Sequence, residues 1–175
     1  TVYPKRQKPK GTREAFAKSS GQEEFDEYPV DTEDFASVLL RFENGMKGSF
    51  SVSQVSAGHK NGLEIEVDGG KAALAWKQER PNELWIGNRD RSNELLMRDP
   101  SLAYPAARDL MSFPGGHNEG FPDTSKQLFK EVYAAVAIGK QPENPTFPTF
   151  ADGYRELLIC ERILESSRKQ GWVKV

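Results

Sequence analysis

Few residues of this 175-residue chain have both the type and the setting for ligand chemistry. His117 and Glu119 lie in the glycine-flanked run of residues 114–120, where the backbone can come close to a ligand. A histidine can donate or accept a proton near neutral pH, and a carboxylate accepts hydrogen bonds from hydroxyl groups. Gln54 and His59, near the end of a predicted hairpin, are weaker candidates. The alternative is that His117 hydrogen-bonds its own loop, while Glu119 faces solvent or caps the next helix.

No complete motif for a cofactor, a metal or a nucleophile accompanies these residues. GxGxxG does not occur, and Gly69-Gly70-Lys71 lacks the upstream glycine and the following Ser or Thr of a phosphate loop. Two distant histidines and the single Cys160 do not have the spacing of a metal site. No Ser-His-Asp order with a nucleophile elbow is present. We therefore expect no catalytic residue, no bound cofactor and no metal in this chain alone.

Composition narrows the classes of partner. The formal net charge of −2 gives no general reason to expect nucleic acid or an anionic membrane. A basic arm precedes an acidic cluster near the start of the chain. No aromatic residues for stacking on nucleic-acid bases lie among its charges, so we interpret it as a solvent-exposed loop. The basic residues of this arm are Lys5, Arg6, Lys8, Lys10 and Arg13.

Hydropathy also bears on the cellular location of the protein. No apolar run approaches the roughly 20 residues of a membrane span, and no signal peptide is present. We expect a cytoplasmic protein with neither nucleic acid nor membrane as a partner.

The chain starts at a threonine without a methionine, which predicts a fragment of a longer protein. Cys160 lies in a helical apolar pattern, which predicts a thiol in the core.

The elements that must position the candidate residues begin with a hairpin over residues 31–55. Apolar residues alternate on both arms, as in half-buried strands. A two-residue turn at Asn44-Gly45 would mix the two faces, whereas a three-residue loop with a left-handed Gly45 pairs Val38 with Phe50. We predict the three-residue loop. The face opposite the apolar one then carries Ser37, Arg41, Lys47, Ser49, Ser51 and Ser53, with Phe35 and Leu39 among them.

Further strands and two helices follow the hairpin. Alternating patterns at 63–67, 72–76, 83–87 and 94–97 predict an antiparallel meander. Helical stripes predict helices from an Asp123 N-cap to Ile138, ended by Gly139, and from about 149 to 170, ended by Gly171. Residues 172–175 are a possible last strand. The apolar stripes of both helices should be buried: Leu128, Phe129, Val132, Tyr133 and Val136 in the first, and Tyr154, Leu157, Leu158 and Leu164 in the second.

The predicted fold class is α+β, a mainly antiparallel open sheet with helices packed on one face. Residues 1–30 are predicted to be an irregular arm or long loop, because Pro4, Pro9 and Gly11 interrupt any regular element. Residues 31–175 are predicted to form one domain.

In this order and spacing, TEDFASVLLRFENGMKGSFSVSQVSAGHKNGLEIEVDGGKAALAW, PNELWIG and PGGHNEGFPDTSKQLFKEVY resemble the C-terminal domain of Gfo/Idh/MocA-type oxidoreductases. That resemblance implies a nicotinamide-dependent enzyme acting on a sugar, an inositol or a related polyol, with NAD or NADP bound in the full-length parent. It places the family's cofactor domain, its lysine, and its aspartate and histidine pair before Thr1. It also implies a homo-oligomer associated through the sheet.

Two hypotheses follow. In the first, the chain is the substrate-side and subunit-associating domain of an NAD(P)-dependent sugar or polyol (inositol-like) dehydrogenase, and is inactive when isolated. In the second, it is a non-catalytic binding or scaffold domain that uses the same fold without a cofactor. A strand followed by GxGxxG upstream of Thr1 would favour the first.

Overall fold

The computed structural model describes residues 2–10, 24–140 and 142–175. The described residues form eight strands and three helices. In chain order these are β1 (Lys5–Pro9), β2 (Phe25–Pro29), β3 (Phe35–Arg41), β4 (Lys47–Ser53), β5 (Glu64–Asp68), β6 (Ala72–Lys77), β7 (Glu83–Asn88), β8 (Glu94–Met97), α1 (Pro105–Arg108), α2 (Phe121–Ile138) and α3 (Phe150–Lys169). All strand pairs are antiparallel, so the α+β class is confirmed. The chain divides into two compact units, Thr1–His59 and Lys60–Val175.

The β3–β4 hairpin has the predicted register. Val38 lies opposite Phe50. The N–H of Phe42 donates to the carbonyl of Met46 at 3.0 Å, and Gly45 is left-handed at φ 88°. The three-residue loop is therefore confirmed, and its register places Ala36, Val38 and Leu40 on the same face as Phe50 and Val52. On the other face, Phe35 is 50% exposed and Leu39 69% exposed.

Two strands replace the irregular arm that was predicted for the start of the chain. β1 pairs with β2, and Pro9 is the last residue of its strand, where a missing N–H does not interrupt the ladder. The two charge clusters face each other, with Lys5 3.5 Å from Glu27 and Lys10 3.0 Å from Glu24. Opposite charges thus lie across a strand pair that hydrophobic periodicity did not indicate. Arg13 lies outside the described residues, and the domain boundary at residue 30 stays a prediction.

Asp34 fastens the start of the chain to the hairpin. Its carboxylate is 3% exposed and accepts hydrogen bonds from the N–H groups of Val2 at 2.6 Å and Tyr3 at 3.0 Å. Arg6 Nη2 lies 3.5 Å from it. The backbone donors of Tyr3 and then Val2 hold the pKa of Asp34 below its ordinary value, because hydrogen bonds to a carboxylate favour its charged form.

The second unit contains the predicted meander, in the order β5-β6-β7-β8. Its register gathers one apolar face, formed by Ile65, Val67, Leu74, Trp76, Leu84, Ile86 and Leu96. The prediction of a last strand at residues 172–175 is wrong. A strand needs a ladder partner, and no described strand pairs with this segment.

Local capping chemistry sets the ends of both long helices. Thr149, at the predicted start of the helix, is the N-cap of α3, and the carboxylate of Asp152 accepts the Thr149 N–H at 2.7 Å. Gly139 ends α2 in the left-handed conformation. Asp123 is not the N-cap, which is Gly120. Asp123 lies at the third helical position and accepts the Gly120 N–H at 2.9 Å.

The predicted burial of side chains was less accurate than the predicted positions of helices and strands. Cys160 is exposed, so the predicted core thiol is wrong. In the two stripes, Val132, Leu158 and Leu164 are half-buried. The others are exposed: Leu128, Phe129, Tyr133, Val136, Tyr154 and Leu157. Packing of both helices on one sheet face stays a prediction.

Candidate functional site

Polar contacts converge on Arg98, the residue that follows β8. Its Nε donates to Asn82 Oδ1 at 2.9 Å. Its terminal nitrogens donate to three carbonyl oxygens of the following loop, those of Phe113 at 2.8 Å, Pro114 at 3.0 Å and His117. One side chain at the end of a strand therefore gathers the backbone of the loop that carries both leading candidates.

Glu119 completes this cluster. Its Oε2 lies 3.0 Å from Arg98 Nη1, and the Arg98 and Glu119 side chains are only 11% and 10% exposed. The other carboxylate oxygen accepts the Ser112 N–H at 2.6 Å. Both oxygens of Glu119 thus have partners inside the protein, and the carboxylate joins the two ends of the 112–119 loop.

Asn82 joins the cluster to the sheet. Its Oδ1 accepts from Arg98 Nε and, at 3.0 Å, from the Glu119 N–H, while its Nδ2 donates to the Glu119 carbonyl at 2.9 Å. Asn82 precedes β7 and Arg98 follows β8, and the Arg98 N–H donates to the Asn82 carbonyl at 2.8 Å across the antiparallel pair. We call Asn82, Arg98, Ser112 and Glu119, with the three loop carbonyls, the Arg98 network.

Sequence reasoning missed Asn82 and Arg98. The Pro81-Asn82 pair signals a turn, and an arginine at the end of an exposed strand usually projects into solvent. The one available signal is the position of Arg98 just before a long proline- and glycine-containing loop, whose carbonyls need donors.

The imidazole of His117 is exposed at the surface of the loop. The ring Nδ1 lies 3.4 Å from the Gly115 carbonyl oxygen, and the backbone N–H of His117 donates to the Pro114 carbonyl at 3.3 Å. Gly116, at φ 82°, takes the left-handed conformation that this turn requires. The structure therefore holds the backbone of His117 and leaves its ring facing solvent.

The other two candidates belong to the Thr1–His59 unit. Gln54 follows β4, its side chain is exposed, and its N–H donates to the Asp34 carbonyl at 2.9 Å. His59 is exposed in the segment that follows. His117 and Glu119 share one loop in the structure, while Gln54 and His59 share the end of the hairpin. A substrate-binding role for all four stays a prediction.

Dinucleotide-binding folds commonly place the pyrophosphate at a free helix N-terminus. Both long helices have a carboxylate there. The Lys126 ammonium and then the Gly120 N–H lower the pKa of Asp123, and the Thr149 hydroxyl and N–H lower the pKa of Asp152, so both are anionic. Neither long helix of the described part therefore offers a free N-terminus to a pyrophosphate.

Two other kinds of site were sought in the same part of the chain. Within the described ranges no group of three or more His, Cys, Asp or Glu side chains could hold a metal ion. No helix there is long and apolar enough to cross a bilayer.

Residues 8–175 match the model of an oxidoreductase family, Gfo/Idh/MocA, over its C-terminal alpha/beta domain. The chain belongs to this family. Among Gfo/Idh/MocA relatives, levoglucosan dehydrogenase of Pseudarthrobacter phenanthrenivorans is 29% identical over 150 residues, which cover 84% of this chain and 37% of that protein.

Solved structures show the same likeness. An oxidoreductase from Sinorhizobium meliloti superposes with a TM-score of 0.77 at 33% identity, covering 83% of this chain and 42% of the other. An inositol dehydrogenase homologue from Azotobacter vinelandii, complexed with NADH and myo-inositol, gives a TM-score of 0.69 at 27% identity, covering 82% and 39%. The chain thus spans about two-fifths of the length of the relatives it matches.

Proposed function

We propose that this chain is the substrate-side and subunit-associating domain of an NAD(P)-dependent sugar or polyol dehydrogenase. The observation that carries the proposal is the match of residues 8–175 to the C-terminal domain of Gfo/Idh/MocA oxidoreductases. Relatives with this domain bind NADH together with myo-inositol, levoglucosan or L-sorbose, which are all polyhydroxylated compounds. An inositol-like or sugar substrate is therefore the class we assign to the parent enzyme.

The proposal divides the reaction between two parts of the parent. In this proposal NAD or NADP binds in the upstream part and the isolated chain is inactive, which is supported by the carboxylates at the N-termini of both long helices. This chain provides one wall of the substrate pocket. Such an enzyme draws on the cellular nicotinamide pool, so a cytoplasmic location accompanies the proposal.

Substrate recognition in this proposal rests on hydrogen bonds to hydroxyl groups. The exposed ring of His117 can donate to one hydroxyl and accept from another. Glu119 contributes by holding the loop, because Arg98 and Ser112 already engage its two oxygens. Gln54 and His59 are exposed and have the same hydrogen-bonding capacity, and we retain them as candidates.

Subunit association is assigned to the hairpin face that carries Phe35, Leu39, Ser49, Ser51 and Ser53. Seven-residue strands at about 3.4 Å per residue and a two-strand width of about 10 Å give this face an outline of roughly 240 Å². A stable interface buries about 800 Å² per partner. In this proposal the face is the centre of a two-fold contact, and neighbouring surface must supply the rest of the area.

Two measurements test the proposal. The parent protein should reduce NAD or NADP with a member of a panel that includes myo-inositol and levoglucosan. In titration calorimetry the isolated chain should bind neither cofactor. Saturable micromolar binding of either cofactor by the isolated chain would refute the assignment of cofactor binding to the upstream part of the parent. A parent that lacks a strand followed by GxGxxG, and that reduces no cofactor, would instead support a non-catalytic binding or scaffold domain.

A further inference from the structure

We propose that Arg98 is the positioning residue of the 112–119 loop, and that its guanidinium sets the direction in which the His117 ring meets the polyol. The substrate part of this inference rests on the proposed function. The conformational part concerns only this chain and can be measured on it directly.

The first argument is the completeness of the contacts. A guanidinium has five N–H groups in a rigid fork. Arg98 has five polar partners, namely Asn82 Oδ1, the carbonyls of Phe113, Pro114 and His117, and the Glu119 carboxylate. A lysine ammonium has three donors and no fixed plane, so it cannot satisfy the same set. The loop conformation is therefore specific to arginine.

The second argument is how the loop is held. Loops exposed to solvent usually sample several conformations, because few apolar contacts restrain them. Here three loop carbonyls point at one cation that is 11% exposed. The anchored carbonyl of His117 fixes the orientation of the peptide plane that follows its Cα. The exposed imidazole therefore starts from a defined backbone.

The third argument is that both chemical candidates of the loop depend on this one cation. Glu119 contacts Arg98 through its carboxylate, and His117 contacts it through its carbonyl oxygen. Misplacement of a substrate-positioning group by 1 Å can cost on the order of 100-fold in rate. Loss of the guanidinium should therefore alter substrate recognition and leave cofactor binding unchanged.

The conformational test uses the two histidines of the chain as reporters. In Arg98→Lys, the imidazole C–H resonances of His117 should shift and broaden, while those of His59, in the other unit, should not change. The matched control is Arg89→Lys. Arg89 is exposed in the same unit, and its Nε donates to the Gly70 carbonyl at 2.9 Å. This control should leave both histidine signals unchanged.

A second variant guards against loss of folding in the first. Glu119→Gln keeps the size of the side chain and an acceptor oxygen but removes the ion pair, and it should shift the His117 signals in the same direction by a smaller amount. If the His117 signals of the folded variants match those of Arg89→Lys, the positioning role is refuted.

The kinetic test uses the parent enzyme. Arg98→Lys should lower kcat/KM for the polyol by roughly 100-fold, mainly through KM, with the KM for the cofactor unchanged. A purely structural role would reduce the amount of folded enzyme and leave both KM values as they were, which would refute the substrate part. If the parent is inactive with every polyol, the proposed function fails, while the histidine spectra still decide whether Arg98 positions the loop.

Discussion

Replacing Asn82 with alanine should destabilise the second unit more than its position in a turn would suggest. Asn82 makes three hydrogen bonds through its side chain, at 2.9, 3.0 and 2.9 Å. The substitution leaves three partly buried groups without these partners: Arg98 Nε, the N–H of Glu119 and its carbonyl.

The expected size of the effect follows from these contacts. A typical hydrogen bond contributes about 1 kcal/mol net, and a buried group left unsatisfied costs about 1–3 kcal/mol. Three such losses give roughly 3 kcal/mol for Asn82→Ala. This is a large part of the roughly 5–15 kcal/mol that stabilises an ordinary domain.

Urea denaturation followed by tryptophan fluorescence measures this loss of stability. Trp76 is a local reporter, because its Nε1–H donates to the Pro81 carbonyl at 3.1 Å, next to the substituted residue. The midpoint should fall while the slope of the free energy with urea stays constant, since the unfolded surface is the same.

Asn88→Ala is the matched control at the other end of β7. The Asn88 side chain makes two hydrogen bonds in exposed contacts, donating to the Ser92 carbonyl at 3.0 Å and to Glu94 Oε1 at 3.1 Å. Surface substitutions of this kind usually change stability by about 0.5 kcal/mol or less. Equal losses for Asn82→Ala and Asn88→Ala would refute the claim that the Arg98 network is shielded and organises the loop.

Three further predictions concern association, helix stability and pH. Ser51→Arg should place like charges near each other across a two-fold axis and favour monomers, as sedimentation over a concentration series would show. Gly153→Ala should stabilise α3 by roughly 0.5–1 kcal/mol in thermal unfolding, since the added methyl group meets nothing within 4 Å and a helical glycine is costly. Asp34→Asn should flatten the acid side of the stability profile. Because the folded pKa of Asp34 is lowered, its contribution is present at neutral pH and is lost as the pH falls below about 4, the pKa of an unperturbed aspartate.

Each of these three has a clear contrary result. A Ser51→Arg chain that stays associated, or an unsubstituted chain that is monomeric at high micromolar concentration, contradicts the assigned face. A destabilised Gly153→Ala would mean that α3 needs the glycine for close packing. An unchanged acid profile in Asp34→Asn would mean that its hydrogen bonds to Val2 and Tyr3 do not persist in solution.

The sequence alone determined the features that depend on near neighbours. Gly45 and the period-two alternation around it fixed the hairpin register, because a one-residue slip would turn every side chain to the opposite face. Thr149 and Gly139 marked their helix ends, since capping satisfies backbone groups within one turn. The family resemblance likewise came from order and spacing along the chain, and the match over residues 8–175 confirmed it.

Tertiary structure alone decided the partners of the polar side chains. Asn82 and Glu119 are 37 residues apart, and nothing periodic in the sequence relates them. The same holds for Asp34 and the backbone of Val2, 32 residues away. An amphipathic pattern tells which face of α3 is apolar but not what covers it, so the sequence did not predict that Tyr154 and Leu157 are exposed. A buried charge must be paired, yet which residue pairs with it depends on where the chain returns in space.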